Sequence, residues 1–208
     1  MGLMIHSLDN IPKSAHRDFF IYLLDYGWQE PISQALRDNF DKMAEIASKN
    51  RAVVIKGTDV AHFENEVMSW HQINNENAEG LLPALLITNK HPEYFRFANG
   101  EFSGRRNILR IEENKDDIKL ILVPFKNFCK TTSDVITLIE KIFNDIIAEK
   151  DLSEFRIAKE MNKGIGKAIV DSIILEPNFS GLGFSFNKLT EVSQVKFRPL
   201  ALMSACQN

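Results

Sequence analysis

The run Asp18-Phe-Phe-Ile-Tyr-Leu-Leu-Asp25-Tyr26 constrains this chain most: six consecutive apolar or aromatic residues stand between two acids. A strand with one wet face alternates apolar and polar side chains, whereas a continuous run must be covered on both faces. The fold therefore needs material on each side of a central strand. Gly27 to Pro31 breaks the run, and Pro31 stands where a helix accepts proline best, at its first position.

From Pro31 onward Ile32, Ala35, Leu36, Phe40, Met43, Ala44 and Ala47 recur at three- and four-residue steps, which predicts one helix to about Ser48. Ala52 to Ile55 reads as a short buried strand ended by Gly57. Thr58 or Asp59 is placed to cap a second helix, with Val60, Phe63, Val67 and Trp70 on its buried face. Leu82 to Thr88 is a further apolar strand with Pro83 at its tolerated first position. The runs 108–111 and 118–124 flank a polar segment and suggest a hairpin. Thr131 with Asp134 three residues on resembles a capping box, and Val135 to Ile146 continues at helical spacing to about Lys150. Beyond it, 155–158, 168–175 and 181–186 read as short strands, the middle one equally readable as a helix. Residues 1–17, with Pro12 and several turn-forming residues, read as an N-terminal arm.

Alternating strands and helices imply an α/β class with parallel strands and helices on both faces. The order over residues 18–150 resembles the thioredoxin-like fold, in which a β-α-β unit leads through a second helix into a β-hairpin and a closing helix. Leu82-Pro83-Ala84-Leu85-Leu86 looks like that family's cis-proline segment. The resemblance implies a three-layer α/β/α core with an insertion at 89–107, and residues 151–208 would form a β-leaning extension packed on it. Those last residues either complete the sheet or form a homodimer surface. The family carries two cysteines at the junction of first strand and helix, where this chain has Tyr26-Gly27-Trp28-Gln29-Glu30-Pro31. Disulfide exchange needs an attacking thiolate, so the likeness implies the scaffold without the redox chemistry.

The same comparison would bring the junction (Asp25, Tyr26, Trp28, Glu30) and Pro83 face to face as a ligand-binding surface, since α/β sheets bind ligands at the carboxyl ends of their strands. The plainer reading has Trp28 covering the core and Glu30 complementing a helix dipole. His91, just after the third core strand, is a candidate on the same reasoning. Arg96, Arg105, Arg106 and Arg110 are interleaved with Tyr94, Phe95, Phe97 and Phe102; guanidinium forks and stacking faces suit a phosphate or carboxylate, or else the segment is a solvated insertion packed by its own aromatics. Lys163-Gly164-Ile165-Gly166-Lys167 could also meet a phosphate but lacks P-loop spacing and suits a flexible turn. His62 and Glu66, four apart with Glu64 and His71 nearby, fit a surface pair better than a metal site.

Composition narrows the classes. A formal net charge of −3 gives no field that would draw the molecule onto nucleic acid. The apolar runs fall well short of the roughly 20 residues that span a bilayer. Met1 to His6 has neither a basic n-region nor a long apolar region, so a cytoplasmic location is expected. The two cysteines, Cys129 and Cys206, stand far apart without neighbours at metal-ligand spacing, so neither a disulfide framework nor a metal site is expected, and no cofactor is implied. Two functions lead: a non-redox binding or scaffolding module that takes a protein partner or a small anionic ligand, and an enzyme or sensor that handles a phosphorylated small molecule or nucleotide through an Arg/Lys anion site; nucleic-acid binding through the arginine segment is a third, which the acidic balance disfavours.

Overall fold

A computed structural model describes residues 1–14, 16–27, 29–71, 73, 78–98, 119–159 and 174–175. Six strands form one mixed sheet: β1 (Gly2–Ile5), β2 (Phe19–Leu24), β3 (Ala52–Gly57), β4 (Ala84–Thr88), β5 (Leu120–Pro124) and the two-residue β6 (Ile174–Leu175), in the spatial order β1-β3-β2-β4-β5-β6. β1 and β2 both run parallel to β3, while β4 is antiparallel to β2, β5 to β4 and β6 to β5.

β2 lies in the middle, as its unbroken apolar run requires, and all six of its residues are buried. Alternation divides them. Phe19, Ile21 and Leu23 enter one core with α1 (Pro31–Asp38), α2 (Phe40–Lys49) and the long helix Thr132–Ile147. Phe20, Tyr22 and Leu24 enter a second core with α3 (Val60–Trp70). Leu85 and Ile87 of β4 join the first core and Ala84 and Leu86 the second, so both faces of the sheet are covered. Between these elements lie the short helices α4 (Ala78–Leu81), α5 (Pro92–Ala98) and α6 (Phe125–Phe128), which makes the long helix α7. Among the described residues no helix is long and apolar enough to cross a membrane.

The local capping signals act as read. Asp59 accepts from the His62 amide at 3.2 Å at the start of α3. Thr131 and Asp134 form a reciprocal box, in which Asp134 Oδ2 accepts from the Thr131 amide at 2.8 Å and Thr131 Oγ1 from the Asp134 amide at 3.3 Å.

Three expectations change, and a fourth falls partly outside the described residues. The segment at the N-terminal end of the chain is more than an arm, because Gly2–Ile5 adds an edge strand in register with Val54 to Gly57. Its glycine is needed there: a Cβ on Gly2 would come within 2.6 Å of the Ala44 Cβ on α2. The single helix expected over 31–48 is two, broken at Asn39, whose side-chain amide donates to the Ala35 carbonyl at 2.8 Å. The strand 120–124 pairs with β4; its expected partner, 108–111, lies outside the described residues. The strand expected over 155–158 is absent, since 156–159 are helical.

That last segment is held by a buried charge. Asp145 on α7, fully buried, accepts from the Arg156 amide at 2.6 Å, from Arg156 Nε at 3.0 Å and from Lys150 Nζ at 2.7 Å. Burial alone would raise its pKa, but the Lys150 and Arg156 hydrogen bonds outweigh burial and hold it below the usual carboxylate value. These bonds fold the chain back so that Leu152, Phe155 and Ile157 close the first core. Removing one partner from a buried ion cluster leaves the others uncompensated. Asp145→Ala is therefore expected to lose about 3 kcal/mol of stability in urea melts, and a loss below the error of the melt would show that the cluster does not hold the segment.

Candidate functional site

Sheet direction decides which ends meet. β1, β2 and β3 are parallel, so their carboxyl ends share one edge; the antiparallel pairings bring the head of β4 and the end of β5 there too, with Leu24 opposite Ala84 and Ala84 opposite Pro124. The ends of parallel strands, outside the sheet, are where α/β proteins place ligands.

A cleft of about 240 Å³ opens at this edge. Its floor follows the register, in which Lys56 of β3 stands between Met4 of β1 and Leu23 of β2. Asp25, one residue past β2, is 4% exposed and accepts a hydrogen bond from the Arg37 guanidinium of α1. The Lys56 ammonium rests 4.1 Å from the centre of the Phe40 ring, a cation–π contact. Val60 and Phe63 of α3 form the opposite wall.

The wall depends on a close approach at Gly57. A Cβ there would lie 2.3 Å from the Phe63 Cβ and 2.9 Å from the Asp59 carbonyl oxygen, so the β3–α3 turn can pack this tightly only with glycine. The turn is tied to β1 by the Thr58 amide, which donates to the Ile5 carbonyl at 2.9 Å. Gly27, at φ +75°, takes the left-handed conformation that lets the chain leave β2 for α1.

Behind the wall is Glu64, 1% exposed, with neither carboxylate oxygen meeting a donor in hydrogen-bond geometry. Burial pushes its pKa up to about 7, and the Asp25 charge adds to the rise. The Tyr26 hydroxyl lies near enough to pull the value partly back. An uncharged carboxyl is the form such a site favours, because desolvation penalises the anion.

Of the residues expected at a site, four reach this edge: Asp25, already described, with Tyr26, Glu30 and Pro83. Tyr26 is half-buried against the α3-side core. Glu30 directly precedes α1 without capping it and pairs instead with Lys126 Nζ at 3.0 Å. Pro83 is buried at the head of β4, its peptide bond with Leu82 is cis, and its carbonyl accepts from the Phe125 amide at 2.8 Å.

His91 does not join them. β4 runs antiparallel to β2, so the residues after it emerge at the opposite end, where Phe20 faces Thr88 and the His91 ring meets Phe20 edge-on at 5.4 Å. The two ends are separated by about 17 Å of strand. Burial lowers the His91 pKa. Arg96 lies on α5, beyond His91. Trp28, Arg105, Arg106, Arg110, Lys163 and Lys167 lie outside the described residues.

Glu66 does not pair with His62. It accepts from the Ser7 hydroxyl at 2.6 Å and the Leu8 amide at 2.8 Å, fastening the turn after β1, while His62 stacks on His6 at 5.0 Å. Among the described residues no three His, Cys, Asp or Glu side chains converge as a metal site would need.

Sequence reasoning missed Arg37 and Lys56. The available signal was that the apolar runs 19–24 and 52–55 are each followed by a charged residue, Asp25 and Lys56, which line one cleft once the two strands are known to be parallel neighbours.

Glu64 has a titration consequence. With a folded pKa of about 7 against an ordinary 4.5, the folded chain keeps a proton that the unfolded chain releases, so stability falls as pH rises through that window. Glu64→Gln stays neutral and removes this loss. The variant is expected to gain about 3 kcal/mol on the wild type between pH 4.5 and pH 8, read from chemical melts across pH; parallel profiles would place the carboxyl in water. No family model, no curated protein and no solved structure matches this chain.

Proposed function

We propose that this chain is a thioredoxin-like binding module without thiol chemistry, a three-layer α/β/α core that takes its ligand at the carboxyl edge of the parallel strands. The observation that carries this reading is the strand arrangement. Three parallel strands in the order β1-β3-β2 continue into two antiparallel ones, β4 and β5, with Pro83 at the head of β4 beside the end of β2. A β-α-β unit followed by an antiparallel pair is what the resemblance of residues 18–150 implies, and β1 adds one strand at the edge.

Chemistry at the β2–α1 junction supports the second half of the reading. Where the resembling fold would present two cysteines, residues 25–31 supply a carboxylate, a phenol, a glycine with positive φ and a helix-starting proline. Cys129 does not substitute for them. It follows α6, is 3% exposed, and burial, with the Asp134 charge in support, pushes its thiol up to about 11. At neutral pH almost none of it is thiolate, the form that attacks a disulfide.

The ligand would be a protein segment or a small anion, since the edge combines a half-buried aromatic, an apolar rim and charged groups. A protein-detected NMR titration with peptides, carboxylates and phosphates tests the location. Binding is expected to move resonances of residues 23–30, 56–60 and 82–85, whereas shifts confined to the His91 end would remove this edge as the site. In an insulin-reduction assay the wild type and the Cys129→Ser, Cys206→Ser double variant are expected to be equally inactive; turnover that the double variant loses would defeat the non-redox reading.

A further inference from the structure

The cleft at the carboxyl edge has an unequal charge balance. Asp25 is answered by Arg37, whose guanidinium donates to it. Lys56 is held against the Phe40 ring, and among the described residues no carboxylate pairs with it. The lining therefore carries one positive charge beyond its own ion pair. Around that charge the surface is apolar: Leu23 and Phe63 are buried, Val60 is half-buried, and Met4 stands at the rim 61% exposed.

We propose that this cleft binds a small monocarboxylate with a short unbranched apolar chain, its carboxylate on the Lys56 ammonium and its chain between Met4 and Val60. The inference rests on the reading of this edge as the binding surface and names the ligand class. Three features select that class. The volume, about 240 Å³, is below the roughly 300 Å³ at which sites for drug-sized molecules begin. A single uncompensated cation matches a single negative charge, and the buried Asp25 carboxylate in the same cleft repels a second one, which disfavours phosphate. The apolar walls gain from an alkyl chain what they cannot gain from a hydrated inorganic anion.

The binding would alter the lysine little. Its ammonium is already drawn out of bulk water by the Phe40 ring, so part of the desolvation that an ion pair demands precedes the ligand. Gly57 serves the same end by holding α3 close, which sets the width between Lys56 and Val60.

The test is thermal unfolding and calorimetry of the full chain with sodium hexanoate, with hexanol, inorganic phosphate and sodium chloride at matched ionic strength as comparison arms. Hexanoate is expected to raise Tm saturably, since a ligand of the folded state must stabilise it, while hexanol, phosphate and chloride do so weakly. Lys56→Met is expected to weaken hexanoate by about tenfold. Should that variant fold poorly, Val60→Trp fills the cleft with the lysine intact and is expected to abolish the hexanoate effect. Phosphate binding as tightly as hexanoate, or hexanoate binding equally to Lys56→Met and wild type, would overturn the proposal. A peptide that moves resonances at the edge in the absence of any hexanoate effect would overturn the carboxylate while leaving the edge as binding surface.

Discussion

The double burial of β2 is the constraint on which the remaining structure depends. Six apolar side chains in sequence, each worth about 1.5–3 kcal/mol when removed from water, cannot be served by a sheet with a wet face. The strand must be central and must have helices above and below. Its neighbours then differ in direction for a physical reason. A parallel neighbour requires a crossover, and α1 with α2 supplies one to β3 across the first face. The other side is closed by β4 and β5 running antiparallel, which brings strand beginnings and strand ends to the same edge. The cleft with Asp25, Arg37 and Lys56 follows from that arrangement of directions.

Those directions also explain what the sequence made legible. The apolar run of β2, the stripes of α3 and α7 and the capping residues Asp59, Thr131 and Asp134 are local, since each depends on neighbours within a few positions, and each is found where its pattern put it. β1 is four residues long and gains its order from a strand fifty positions away, so no window around Gly2–Ile5 contains the cause. Residues 155–158 alternate Phe, Arg, Ile, Ala and so imitate a strand. The helical form of 156–159 depends on Asp145, about ten residues earlier and fully buried.

The candidate site divides in the same way. Tyr26, Glu30 and Pro83 could be nominated because turn chemistry marks the ends of their strands. His91 follows the carboxyl end of β4, and because β4 runs antiparallel to β2 that end lies at the other edge of the sheet, away from the cleft. Lys56 was invisible for a related reason. A lysine ending an apolar run is an ordinary strand terminus until the parallel pairing sets it beside Leu23, with Asp25 just beyond, and leaves it without a carboxylate among the described residues.

Under α3 the fold tolerates two titratable groups in opposite senses. His71 is fully buried and its ring Nδ1 lies 2.8 Å from the Val67 carbonyl; burial lowers its pKa to about 4, so its contribution to stability is complete above about 6.5, the ordinary histidine value, and is lost as pH falls toward 4. Glu64, about two turns earlier on α3, loses stability as pH rises from 4.5 to about 7. Between 4.5 and 6.5 the two slopes run against each other, and for a fully titrating group each is about 1.4 kcal/mol per pH unit. Each group destabilises the fold when charged, and across that range their contributions oppose each other. The neutral forms of both are what the second core requires, with Tyr22 beside His71 at 5.0 Å and its own ionisation pushed well above the ordinary value by the same burial. The second core thus excludes charge, and the charges of this edge are gathered on the opposite face of the sheet, where Asp25, Arg37 and Lys56 line the cleft.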